Sequence, residues 1–355
     1  MDINQIDVKE NAIKEIDPKI LALLLKDKTT RKNIIWATDD YVVLGDGYGS
    51  DDEIKVKAIT GDNGNVIRPR TEKSKEEQST RSKEKAEVFT PSWVCNRQNN
   101  LVDTAWFGYE NVFNIETDNS WITSEEKIVF PNTNGKTWQD YVKTNRLEIS
   151  CGEAPYLASR YDTVTGNVIA VKDRIGLLDR KLRVVSENVD SEPEWVRWAI
   201  KAVQSIYGYD WQGDNVLLAR ENILYTFAEH YEHKFTVPAI KEYLIKIAKI
   251  VAWNIWQMDG IKFVVPNSCH PEQLAQLTLF PEEPIMHECT GCTTNDHSKH
   301  NGIYCRIYDW SHNASVEFYS FIKKGARDNG SKCLKENLLS VSEMIIDFLQ
   351  MILGQ

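Results

Sequence analysis

One stretch, Arg146–Tyr161 (R-L-E-I-S-C-G-E-A-P-Y-L-A-S-R-Y), constrains the fold of this 355-residue chain more than any other. Leu147 and Ile149 belong to a short apolar run that stops at Cys151-Gly152. A new apolar spacing then begins with Ala154, Leu157, Ala158 and Tyr161. This change of period predicts a strand running into a helix across a tight turn. In α/β proteins a ligand sits at such a junction. Gly152 lets the backbone come close to a small molecule, and a helix start offers N–H groups without intrahelical partners. A plain strand–helix connection has the same appearance, so the rest of the chain must weigh in.

A second unit of the same kind follows about 60 residues on. Trp195–Ser205 is amphipathic and leads into Ile206-Tyr207-Gly208-Tyr209-Asp210, a buried strand ending in an acid. Helical periodicity resumes from Leu217 to Phe227. An acid ending the second strand of a βαβ pattern is placed to accept hydrogen bonds from a ribose diol. The first turn lacks G-x-G-x-x-G, so no pyrophosphate cradle is expected.

Ahead of these units, Ile13, Ile16, Ile20, Leu21 and Leu23–Leu25 predict one or two short helices within residues 1–27. Asn33–Val43 and Ile54–Ile59 read as strands, closing a small β-rich N-terminal unit near residue 66. Asp39, Asp40 and Asp46 read as turn residues rather than a nuclease cluster, since no Glu-x-Lys follows in register. Residues 68–87 carry seven basic and five acidic side chains. They read as a solvated linker or exposed helix, or as a mobile basic arm near DNA phosphates. Thr90 is placed to cap a helix beginning at Pro91, with Trp93, Val94 and Leu101 inward. Helices are further predicted over Trp138–Asn145, over 174–185 with a basic side (Arg174, Arg180, Lys181, Arg183), over Pro238–Met258 and over Leu338–Met351. Ile261–Val265 reads as a third short strand. The expected divisions are 1–66, a charged segment 67–87, an α/β domain 88–270, and a C-terminal module 271–355.

The C-terminal module carries the most specific chemistry. Cys289-Thr290-Gly291-Cys292 presents two thiolates to one point, and His300 and Cys305 follow eight and thirteen residues after Cys292. Cys289, Cys292, His300 and Cys305 are the expected zinc ligands, with His297 or His287 as substitutes for His300. Four protein ligands leave no open position, so the metal's role would be structural, stapling a loop without its own core. The competing reading is a reduced, unmetallated loop or a redox pair. Asn301–Trp310 and Val316–Ile322 read as a hairpin beside the metal.

Seven cysteines, an odd number with three clustered near residue 300, suit a reducing compartment better than a disulfide framework. No stretch approaches a membrane span, and the N-terminus has neither a basic leader nor an apolar core, so a cytoplasmic protein is expected. A net charge of -10 argues against indiscriminate coating of nucleic acid, yet a local basic surface can still hold phosphate.

The order of Phe89-Thr90-Pro91, then L-E-I-S-C-G-E-A-P-Y at 147–156, then Y-G-Y-D at 207–210 with L-A-R-E-N at 218–222, resembles S-adenosylmethionine-dependent adenine-N6 DNA methyltransferases. The closer likeness, over about residues 29–310, is to proteins labelled restriction endonuclease subunit M. The general methyltransferase motifs cover roughly residues 87–227. The resemblance implies a Rossmann-like S-adenosylmethionine-dependent methyltransferase sheet, double-stranded DNA as substrate, and a restriction nuclease or second methyltransferase subunit as partner. It puts Phe89, Thr90 and Pro91 over the methionine part of the cofactor, and Glu148, Cys151, Gly152 and Tyr156 on the first-strand loop. Asp210 falls on the acid that holds the ribose hydroxyls. Glu153-Ala154-Pro155 replaces the small residues usual in that loop, so the loop must be shaped differently.

The family's Asn/Asp-Pro-Pro-Tyr/Phe motif, which grips the exocyclic amine of an extruded adenine, has no match here. The nearest sequence, Val265-Pro266-Asn267-Ser268, inverts Pro and Asn and lacks the aromatic; Asn267 is the candidate to orient the amine. The expected activity is adenine-N6 methylation of DNA in a restriction-modification system. The alternative is a catalytically incomplete, methyltransferase-like subunit that acts with a partner. An RNA or small-molecule methyltransferase is a third reading.

Overall fold

Local signals from the sequence are realised unevenly along the chain. The computed structural model describes residues 10–85, 90–131, 136–273 and 286–323. Phe89 and the helix expected over Leu338–Met351 therefore lie outside the described residues. Helices α1 (Glu10–Ile16) and α2 (Pro18–Leu24) open the chain, with Asp17 capping α2 through the Lys19 N–H. The strands expected next do not form. Asn33 and Ile35 make isolated bridges to Lys26 and Glu53, and Val56–Ala58 is a 3₁₀ turn. Trp36 packs against Tyr41 and Tyr48 and donates its indole N–H to Gly47 O, so an aromatic cluster shapes this region in place of a strand ladder. Leu21, Trp36 and Ile54 belong to the same hydrophobic core as Val216 and Leu244.

The charged segment is folded onto the body. It forms α3 (Lys75–Lys85), and Lys73 and Arg81 are buried, both reaching the Asp214 carboxylate at 3.4 and 3.0 Å. Helix α4 (Ser92–Phe107) follows. Thr90 does not cap it; Asp162 accepts the Ser92 N–H at 2.7 Å instead. The inward face of α4 is Cys95, Asn96, Asn99, Asp103 and Phe107, while Leu101 is exposed. A hairpin, β1 (Asn114–Thr117) with β2 (Ser120–Thr123), and the short helix α5 (Trp138–Lys143) lead to the central sheet. Helix α5 begins with a reciprocal capping box between Thr137 and Asp140.

Strand β3 (Arg146–Ile149) forms over the residues expected. The helix expected directly after it does not, and residues 150–161 fold as consecutive turns. Helices α6 (Leu177–Asn188) and α7 (Glu192–Gln204) cross over to β4 (Ile206–Asp210). Helix α8 (Gly213–Phe235) and α9 (Lys241–Asn254) cross to β5 (Ile255–Gln257). The strands β3, β4 and β5 form one parallel sheet in that order, with Ile149 opposite Tyr209 and Asp210 opposite Gln257. The third strand is thus Ile255–Gln257, not Ile261–Val265, where Val264 makes only a single bridge to Tyr304. The chain continues through β6 (Glu272–Gln273), β7 (Met286–His287), α10 (Thr290–Thr294), the hairpin β8 (Arg306–Asp309)–β9 (Ala314–Glu317), and α11 (Tyr319–Lys323).

The architecture is mixed α/β, built around α8, which is buried on all sides from Gly213 to Tyr231. Its polar residues are spent internally. The Arg220 guanidinium donates to Ile255 O and to the carbonyls of Leu24 and Lys26, tying α2 to the sheet. Glu229 pairs with Arg160 and Arg174, and His230 with Asp179. Tyr207 and Tyr209 face the other way, into a second cluster with Trp256, Met258, Cys305 and Ile307. Among the described residues no helix is long and apolar enough to cross a membrane.

Candidate functional site

The turn after β3 is held by carboxylates. Ser150, Gly152 and Ala154 take left-handed φ values of 47°, 51° and 62°. For the two residues carrying Cβ atoms this costs about 1–2 kcal/mol each. Backbone strain of this kind persists only where surrounding contacts over-determine it. Here Glu148 accepts the N–H groups of Tyr156 and Leu157 at 3.4 and 3.2 Å. Glu153 accepts the Arg70 N–H and the Tyr161 hydroxyl, each at 2.6 Å. Ala154 is fully buried, so the apolar spacing read as a helix face marks a buried turn.

Asp210 ends the neighbouring strand, and its Oδ2 accepts the Gly152 N–H at 2.9 Å. Its Oδ1 accepts the Gln212 N–H at 3.0 Å and, more distantly, the Asn215 amide at 3.5 Å. Burial outweighs these bonds and pushes the Asp210 carboxyl up to about 6. Burial also raises Glu148 well above the usual carboxylate range, with Asp210 adding to the rise. Neither carboxylate has an ion-pair partner among the described residues.

Most of the cofactor-binding residues expected from the sequence meet at this junction. The Tyr156 hydroxyl lies beside Thr90 and Cys95, next to Pro91, and its backbone N–H is on Glu148. Cys151 contributes backbone only: its thiol is buried against Gly208, in the core.

One strand over, beyond the end of β5, a cleft of about 250 Å³ is lined by segments from both ends of the chain, including Asp27, Asn33, Asp51, Gln257, Pro266 and Asn267. Asn267 is exposed, and its amide donates to Asp51 Oδ1 at 2.8 Å. Among the described residues no aromatic side chain lines the cleft, so the stacking ring of the usual methyltransferase motif has no counterpart among them.

Two residues beyond Asn267 stands Cys269, the ligand that the sequence reading missed. Cys269, Cys289, Cys292 and His300 bring their ligand atoms within 4.8 Å of one another and could hold a metal ion such as zinc. Each of the three sulfurs lies 3.7 Å from His300 Nδ1. A tetrahedral zinc with the usual Zn–S and Zn–N bond lengths spaces S and N about 3.6 Å apart. Cys305 is not a ligand: it is fully buried in the second cluster, its thiol on Gln257 O. His297 and His287 stay outside the set. Burial would raise the Cys289 thiol, but the N–H groups of Asn301 and Cys292, with His300, bring it down to about 6. Gly291 is required here, since a Cβ would sit 2.5 Å from His300 N and 2.6 Å from its Nδ1.

The basic side expected on residues 174–183 is mostly turned inward, with Arg183 half-buried and paired with Glu187. Arg174, Arg180 and Lys181 are buried, and Arg180 is bound by Asp103, Asn96 and Asn100. No protein-family model, curated protein or solved structure matches the chain.

Proposed function

We propose that the chain is an S-adenosylmethionine-dependent methyltransferase that modifies adenine N6 in double-stranded DNA, as part of a restriction-modification system. The observation carrying this reading is the contact between Gly152 N–H and the Asp210 carboxylate, at the ends of two adjacent parallel strands. The donor set fits the cofactor. Asp210 and Glu148 are buried carboxylates without a counter-ion among the described residues, which suits a cationic sulfonium ligand and would repel a pyrophosphate. Asp210 keeps a lone pair beyond those used by Gly152, Gln212 and Asn215, and this would accept a ribose hydroxyl.

Bound S-adenosylmethionine supplies an electrophilic methyl group. The protein's share is placement and charge: Asp210 orients the ribose, Glu148 holds the turn, and Asn267 offers its carbonyl oxygen to the amine as positive charge develops. A second reading has its own support. With Asn267 exposed and no ring in the cleft lining, the base grip is incomplete, and a partner subunit would complete it.

The test is calorimetric binding of S-adenosylmethionine followed by mass detection of methylated DNA. Asp210→Ala is expected to weaken cofactor binding by roughly 10- to 100-fold, the range for hydrogen bonds to a charged group. Transfer by the chain alone supports the first reading. Binding with transfer only after a genomic-neighbour protein is added supports the second. Wild-type protein that binds no cofactor ends both.

A further inference from the structure

Both basic segments expected from the sequence have their charge engaged within the fold. Lys73 and Arg81 are buried on Asp214, Arg68 pairs with Glu77, and Arg180 and Arg183 pair with Asp103 and Glu187. Unpaired cations gather elsewhere. Lys26-Asp27-Lys28-Thr29-Thr30-Arg31-Lys32 places four of them within seven residues. The one acid of this stretch is turned inward: the buried Asp27 carboxylate accepts the N–H groups of Thr29 and Thr30 and the Thr30 hydroxyl. The Asp27 N–H donates to Lys32 O, the Arg31 N–H donates to Asp27 O, and a bridge joins Lys26 to Asn33. The segment is therefore a closed turn, in which Arg31 holds a left-handed φ of 64°.

Helix α9 extends the charge. Lys246, Lys249 and Trp253 stand at i, i+3 and i+7, on one face, and the single acid of the helix, Glu242, lies in its first turn, away from Trp253. The Lys28 ammonium stands 5.9 Å from the centre of the Trp253 ring. Burial lowers the Lys28 ammonium from its ordinary value, and the nearby charges of Arg220, Lys26 and Lys249 lower it further. Thr29 Oγ1 accepts the Arg306 N–H at 3.0 Å, which fastens the turn to β8. Among the described residues, the side chains of Lys26, Lys28, Arg31, Lys32, Lys246 and Lys249 form no ion pair and no hydrogen bond. On a chain of net charge -10, this surface keeps like charges together against their mutual repulsion, which a polyanion would relieve. Thr30 and Lys32 also line the cleft beyond β5, so the surface borders it.

We infer that the 26–32 turn and the Lys246–Lys249–Trp253 face of α9 form the surface on which the phosphodiester backbone of duplex DNA docks. The inference rests on the proposed methyltransferase function only for the choice of DNA over RNA. It supplies phosphate contacts that neither residues 68–87 nor residues 174–183 provide, and such contacts position a duplex without reading its sequence. A lipid surface fits less well: among the described residues, neither the turn nor this face of α9 exposes a large apolar side chain to enter it.

The test is fluorescence anisotropy of a labelled duplex of mixed sequence with the full zinc-loaded chain, titrated between about 50 and 200 mM salt. Each phosphate contact adds about 0.9 to the slope of log affinity against log salt. Arg31→Gln with Lys32→Gln, both exposed, should lower that slope by about two and weaken binding roughly 60-fold at about 0.1 M salt, alike on unrelated sequences. Adding Lys28→Gln should lower the slope by about one more. Lys127→Gln with Lys172→Gln makes the same change of charge on exposed lysines outside the surface and should keep the wild-type slope. An unchanged slope in the first variant, an equal drop in the Lys127/Lys172 variant, or no binding of the duplex by wild type overturns the inference. So does tighter binding of phosphatidylserine vesicles or of duplex RNA of the same sequence. Failure to bind S-adenosylmethionine with these slope changes intact would sink only the methyltransferase reading. Methylation of DNA whose salt dependence is untouched by Arg31→Gln with Lys32→Gln would sink only this surface.

Discussion

The carboxyl ends of β4 and β5 lie side by side, Asp210 opposite Gln257, yet different physics holds each in place. The β4 end is embedded. All five of its residues are buried, Ile206 in the main core and Tyr207 and Tyr209 in the second cluster, and its acid is set by backbone N–H groups. Beyond β5 the chain leaves the sheet, and the loop from Val265 to His270 has little core of its own. Its shape comes from Cys269, grouped with Cys289, Cys292 and His300 in a set that could hold a metal ion, and from the Asn301 side chain, which accepts the His270 N–H and donates to the His270 carbonyl. A place made rigid by burial can be lost only with the fold, whereas one made rigid by ligation can be lost alone.

Removing the metal should break the comparison most sharply. Structural zinc contributes about 10–16 kcal/mol of apparent binding energy in small finger peptides. Chelation, or Cys269→Ser, is expected to strip one metal ion per chain and to abolish hydrogen-exchange protection over residues 286–304 and the 265–270 loop. Protection in β3 and β4 should persist. Cys305→Ser should retain the metal by elemental analysis; its loss there would restore the ligand set read from the sequence.

The embedded end has its own weak point at Asp214, in the first turn of α8 and four residues after Asp210. Burial alone would raise this carboxyl, but Arg81 and Lys73 hold it well below the usual carboxylate range, and the Tyr41 hydroxyl donates to it at 2.7 Å. Asp214→Ala takes the ion-pair partner from buried Lys73 and leaves Arg81 to Asp40 and Gln212. Breaking a buried pair from one side costs about 3–5 kcal/mol. Urea denaturation should show that loss while metal content stays at the wild-type level. A loss under about 1 kcal/mol would mean that Lys73 and Arg81 find water instead.

How far each end could be read in the sequence follows from the range of its forces. Strands β3 and β4 are legible because an apolar run stopped by Cys151-Gly152 or by Asp210 is a local signal. The turn beyond β3 is not, since Ala154 takes its conformation from a frame set by Glu148 and Glu153, whose partners include Arg70, far upstream. Strand β5 was hidden because Ile255-Trp256-Gln257 continues the apolar pattern of α9 without a breaker. Cys289 and Cys292 announce themselves by spacing, while Cys269 stands twenty residues before Cys289. One cue favoured it over Cys305. Cys305 alternates with Ile303 and Ile307 and so reads as core, whereas Cys269 sits in a Pro-Asn-Ser turn beside a second metal-capable residue, His270.

The smallest effect separates Asp210 from Asp214, and it is a matter of sign. Burial raises Asp210 from an ordinary 3.8 to about 6, so the native state binds that proton more tightly than the unfolded chain does. Its contribution to stability is complete below pH 4 and is lost as pH climbs through 6; about two units at 1.36 kcal/mol each set a ceiling near 3 kcal/mol. Asp214 is depressed, so its contribution is present above pH 4 and fades only as the solution becomes more acidic. Between pH 4 and 6 only Asp210 of the two titrates. Asp210→Asn should therefore lessen the stability slope across that window, leaving the share of Glu148, which burial also raises, and Asp214→Asn should change the acid limb below it. A cationic cofactor favours the carboxylate form, so proton and cofactor compete for Asp210 and cofactor affinity should rise across the same window in wild type. A slope undiminished in Asp210→Asn would show that the Asp210 proton does not set it.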